Sequence, residues 1–91
     1  MPTEPLETER TTTGTVKFFK DDKGWGAIET EATAPWDIWV HLSRIDAGID
    51  EAGFPRMLVP GDKVVVDYVR QDHESFQYVA RLVRRTSSAN P

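Results

Sequence analysis

Asp37-Ile38-Trp39-Val40-His41-Leu42 alternates with period two, and this stretch decides how the chain is read. Successive side chains of an extended strand point to opposite faces, so Ile38, Val40 and Leu42 share one face and Trp39 and His41 the other. The aliphatic set suits a core, which leaves the rings outside. Trp25-Gly26-Ala27-Ile28-Glu29-Thr30 repeats the arrangement, with Ile28 and Gly26 inward and Trp25, Ala27 and Glu29 outward. Before it, Gly14-Thr15-Val16-Lys17-Phe18-Phe19 is a β-rich run stopped by the polar turn Lys20-Asp21-Asp22-Lys23-Gly24. Phe18 and Phe19 are adjacent, so one of them faces outward unless a bulge intervenes.

Downstream of these three strands, Ser43-Arg44-Ile45-Asp46 has the form of a helix-start box and Gly48 is a stop, which allows one short helical turn. A long connection over 47–59 leads to the turn Pro60-Gly61-Asp62. Strands are expected over 63–69 and 76–83, separated by a polar stretch at 71–75. Five short strands with a longer connection after the third predict an all-β chain, a small antiparallel barrel or sandwich.

The chain has 91 residues, the size of one small domain, and is 38% hydrophobic and 29% charged, which suits a folded protein. It lacks cysteine, so disulfides and thiolate metal sites are excluded. The net charge of −4 argues mildly against holding duplex DNA by bulk charge. No apolar run approaches the roughly 18–20 residues of a membrane span, and the N-terminus lacks a signal-peptide layout, so a cytoplasmic location is expected. Residues 1–13 contain little to bury and predict a flexible arm whose removal leaves the unfolding midpoint nearly unchanged; 14–85 form the domain, and 86–91 a flexible tail.

Trp25, Trp39 and His41 therefore point outward on strands expected to be neighbours, with Lys17, Lys20 and Lys23 in the same region. Exposed flat rings among lysines suit stacking on unpaired bases, with the ammonium groups meeting the phosphates. The alternative is that one or both tryptophans pack beneath the 47–59 connection.

In order and spacing, the first run, Lys23-Gly24-Trp25-Gly26-Ala27-Ile28 and Asp37-Ile38-Trp39-Val40-His41-Leu42-Ser43 resemble the cold-shock domain family. The second run is similar to that family's first ribonucleoprotein motif, Lys-Gly-Phe-Gly-Phe-Ile, and the third to its second motif, Val-Phe-Val-His-Phe. Gly53-Phe54, Pro60-Gly61-Asp62 and the last two strands extend the likeness over about residues 14 to 83. The resemblance implies a five-stranded OB-type barrel that binds single-stranded RNA or DNA. It implies nucleic-acid contacts at Lys17, Phe18, Lys23, Trp25, Trp39, His41 and Phe54. Lys20 and Arg56 are added on charge and location, and Phe19 as a partial contact that could instead close the barrel. The chain departs from the family at Ala27, where the motif has a ring, at Leu42, at Phe18 in place of Trp, in its longer loops and in lacking a Gly-Pro-Gln entry to the last strand.

Other residues invite chemistry that their surroundings do not support. His41 has no nucleophile to serve as a base. His73 lies between Asp72 and Glu74 in what reads as a turn rather than a metal site. Asp21 and Asp22 read as a solvated turn. Trp36 has the parity of Ile38 and Val40 and is expected to close the barrel end. Arg81, Arg84 and Arg85 are either a solvated strand end or a phosphate-contacting patch. The expectation is a non-enzyme without cofactor or metal, an RNA chaperone acting in transcription or translation. The rival is an OB-type interaction module whose aromatic face docks a partner peptide or a second copy of the chain.

Overall fold

The computed structural model describes residues 9–46, 48, 51, 53 and 57–86. Its strands are β1 (Arg10–Lys20), β2 (Trp25–Glu29), β3 (Ile38–His41), the two-residue β4 (Ile45–Asp46), β5 (Lys63–His73) and β6 (Phe76–Arg85). A 3-10 turn, Leu42–Arg44, separates β3 from β4. Antiparallel ladders join β3 to β2, β2 to β1, β1 to β5 and β5 to β6, and a parallel β3–β6 seam closes the ring. The result is an all-β, OB-type barrel of five strands, in which β4 continues the line of β3 along β6. Closure matters because it leaves no long unpaired edge at the end of a sheet.

The core follows the alternation. Ile38 and Val40 are fully buried from β3, Ile28 from β2, Val64 and Val66 from β5, and Val83 from β6. Leu58, just before the turn into β5, joins them. Branched aliphatics suit this position because their stiff side chains pack well on a pleated surface.

Four expectations are corrected. The strand expected from Gly14 begins at Arg10, and Thr11, Thr12 and Thr13 pair with Asp67, Val66 and Val65. Residues 10–13 therefore belong to the barrel: the threonines satisfy the outer edge of β5, and Thr11 Oγ1 donates to Asp67 at 2.6 Å. The stretch 71–75 is mostly strand, because β5 runs on to His73 and turns at Glu74, whose φ is 58°. Leu42 does not continue the inward set; it opens the 3-10 turn and is exposed. Trp36 does not close the barrel end, since 47% of its surface is exposed in the turn before β3.

A bulge resolves the Phe18–Phe19 ambiguity. Val16 pairs with Ile28, but Phe18 pairs with Ala27, so Lys17 is the extra residue. Phe18 consequently shares the outer face with Ala27, and Phe19 turns inward to pack against the core. Gly26 lies opposite Phe19, and a Cβ there would sit 2.6 Å from the ring and 2.3 Å from the Phe18 carbonyl oxygen. Only glycine lets Phe19 lie across β2.

Candidate nucleic-acid interface

The cross-strand register sorts the outer face of β1, β2 and β3 into rows. Lys20, Trp25 and His41 form the first; Phe18, Ala27 and Trp39 the second; Thr15 and Glu29 lead into the third, beside Asp37. The sequence expectation that Trp25, Trp39 and His41 share one face is met by this register. Ala27 is on the same face but is not open: it is flanked by the two larger rings and has no exposed surface. A methyl between Phe18 and Trp39 is shielded by its neighbours, so the family's missing ring leaves no vacant platform.

Two ring clusters result. Phe18 meets Trp25 edge-on at 5.6 Å between centroids, and Phe76 meets the same indole edge-on at 6.0 Å. Such T-shaped pairs are a favoured aromatic geometry. The Lys20 ammonium lies 5.0 Å from the Trp25 centroid and 5.7 Å from that of Phe18, a cation held over both rings. In the second cluster Trp39 lies 5.9 Å from His41 and 4.0 Å from His73.

His41 is oriented by its own chain. The Ser43 backbone N–H donates to its Nδ1 at 3.1 Å, with Ser43 Oγ 2.9 Å from the same atom. Accepting at Nδ1 leaves the proton of the neutral ring on Nε2, which is then a hydrogen-bond donor. The β1–β2 turn is likewise pinned: Gly24, with φ of 80°, donates to the Lys20 carbonyl at 2.7 Å, and its own carbonyl accepts from Leu42 N–H at 2.8 Å. That fixes where Lys23 and Lys20 emerge.

Lys17 is placed differently from its lysine neighbours. Its ammonium donates to Asp37 at 2.9 Å, and that hydrogen bond and charge hold it above the ordinary lysine range. Lys20 and Lys23 are exposed at the ring end, whereas Lys17 is engaged at the Glu29–Asp37 end. Phe54 and Arg56 lie outside the described residues. Next to Lys63, Arg85 pairs with Asp62 at 3.5 Å.

Sequence reasoning missed Phe76 and His73. These residues pair across the tip of the β5–β6 hairpin, one ring reaching Trp25 and the other Trp39. The sequence carries no clear signal for them, because the alternation of β5 breaks at the adjacent buried residues Tyr68 and Val69 and the segment that follows is polar. His73 is packed on an indole, and among the described residues no group of three or more His, Asp or Glu side chains could hold a metal ion. Among them, too, no helix is long and apolar enough to cross a membrane.

Among the comparisons with known proteins, the match to a family model agrees with this geometry. No curated protein matches the chain. The family model described as the "cold-shock" DNA-binding domain matches residues 12–76, from within β1 to the start of β6. With the two ring-bearing motifs adjacent on a closed OB-type barrel and most of the chain matched, the protein belongs to the cold-shock DNA-binding domain family.

Proposed function

We propose that this domain holds RNA or DNA strands in the unpaired state and acts as an RNA chaperone in the cytoplasm, with effects on transcription or translation. The observation that carries the reading is the juxtaposition of Trp25 and Trp39 on adjacent outer strands with Lys20, Lys23 and His41 around them. Indole faces stack on any base, and this sequence tolerance suits a protein that follows unpaired strands rather than a fixed site. Trp25, Trp39, Phe18 and His41 are the base-contacting residues of this reading, with Lys20 and Lys23 meeting phosphates. Phe54 and Arg56 remain contacts inferred from sequence, and Lys17 serves only when released from Asp37. Phe19 acts from within, by packing the barrel beneath the rings.

The mechanism is mass action. A protein that binds only the open form of a hairpin shifts folding toward that form by its binding free energy, without nucleotide hydrolysis. An RNA hairpin carrying a fluorophore and quencher on its two ends tests this. Protein in excess should lower its melting temperature with no nucleotide added, and Trp39→Ala should lose most of the effect. An unchanged melting curve at saturating protein would contradict the chaperone role.

A further inference from the structure

Beyond the Glu29–Asp37 end of the ring rows lies a groove of about 640 Å³, with Trp36 on its wall. Trp36 is more exposed than Trp25 or Trp39, and its backbone is fixed. Its N–H donates to the Thr33 carbonyl at 2.8 Å, and the hydroxyl of Thr33, itself buried, donates to the Trp36 carbonyl at 2.6 Å. An indole presented on a pinned turn, with no part in the core, is an exposed apolar surface that a ligand can cover. It is three residues from Trp39, about 10 Å at most along the chain, within reach of a neighbouring nucleotide.

The charges in the groove select what the ring would face. Lys17 is neutralised by Asp37, and Lys63, which donates to Thr15 Oγ1 at 3.0 Å, lies on the groove wall. Glu29 and Glu31 contribute exposed carboxylates, and Glu31 belongs to the same turn as Trp36. A carboxylate is acceptor-only, so it favours a base edge that donates. Guanine offers N1–H and the N2 amino group side by side. Thymine and uracil offer one N–H between two carbonyls, which a carboxylate repels.

We infer that this groove is a subsite for one further nucleotide with a guanine base. Trp36 stacks the base, Glu31 accepts from its N1–H and N2 amino group, and Lys63 meets its phosphate. The inference rests on the single-strand reading above but assigns a distinct site with its own selectivity.

The test compares an oligothymidine with the same oligomer carrying one guanine at the 5′ or the 3′ end, titrated against the intact chain. One guanine-ended oligomer should bind roughly five-fold more tightly than the all-thymidine strand, the low end of what one stacked base supplies. Trp36→Ala should erase that gain while leaving oligothymidine affinity unchanged, and Glu31→Gln should erase it with the indole still in place. A guanine gain that survives Trp36→Ala, or no gain at either end, overturns the subsite and leaves the platform reading intact. Failure of the folded protein to bind any of the strands overturns both. Thermal melting of each variant confirms that it is folded.

Discussion

The imidazole of His73 lies 4.0 Å, centroid to centroid, from the indole of Trp39, its plane tilted by 42°. Stacked atoms need about 3.5–4.0 Å of separation, so no base fits between these two rings. A base stacking on this side of Trp39 must move the β5–β6 hairpin side chain aside. His73→Ala should therefore tighten oligothymidine binding by about three-fold, within the roughly 0.5–1.5 kcal/mol of an aromatic pair. Loss of affinity in this variant would instead make His73 a direct base contact.

Ala27 is predicted to reject enlargement. It has no exposed surface and stands between Phe18 and Trp39, so a phenyl ring there must displace one of them. Ala27→Phe should lower stability by roughly 1–3 kcal/mol, as overpacking does, and bring no gain in affinity. A chemical-denaturation curve together with a binding isotherm checks both parts. Tighter binding at unchanged stability would mean that the site is open after all.

Residues 10–13 are predicted to matter for stability. Deleting 1–13 removes four strand residues, four of the six paired positions between β1 and β5, and the Thr11–Asp67 hydrogen bond. The melting temperature should fall by several degrees or more, since about 1 kcal/mol moves a domain of this size by roughly 4–8 °C. An unchanged midpoint would return the boundary to Gly14.

Asp37 restrains Lys17, and Asp37→Asn should release it. One additional phosphate contact should steepen the salt dependence of log K by about 0.7 for a single strand and tighten binding at low salt. The same pair sets a pH trend. Because Asp37 raises the Lys17 pKa on folding, its contribution to stability is present below the ordinary lysine value and lost as pH rises through the folded one. Asp37→Asn should remove that alkaline component from the pH dependence of the melting temperature.

Much of this was legible in the sequence because alternation reports faces directly. Ile38 and Val40 inside with Trp39 and His41 outside follows from period two alone. The Phe18–Phe19 assignment was not legible, since a bulge at Lys17 adds a residue without any compositional mark. Parity puts Ala27 on the correct face but does not reveal that it is covered. Parity says where a side chain points, whereas coverage depends on the size of its cross-strand neighbours. Trp36 fell outside the rule because the turn pinned by Thr33 breaks the period just before β3 begins. His73 and Phe76 were hidden by polar neighbours, and only the hairpin register brings their rings to the tryptophans.

The central claim is that the Trp25 and Trp39 face stacks unpaired bases with only a few phosphates engaged. Intrinsic tryptophan fluorescence during titration with an oligothymidine, repeated across salt concentrations, tests it most directly. The account predicts saturable quenching and a log K against log salt slope of about −1.4, from two phosphate contacts at Lys20 and Lys23. Trp39→Ala should weaken binding about ten-fold or more while the barrel stays folded. A flat titration at low salt with folded protein would contradict the account and favour a face that docks another protein.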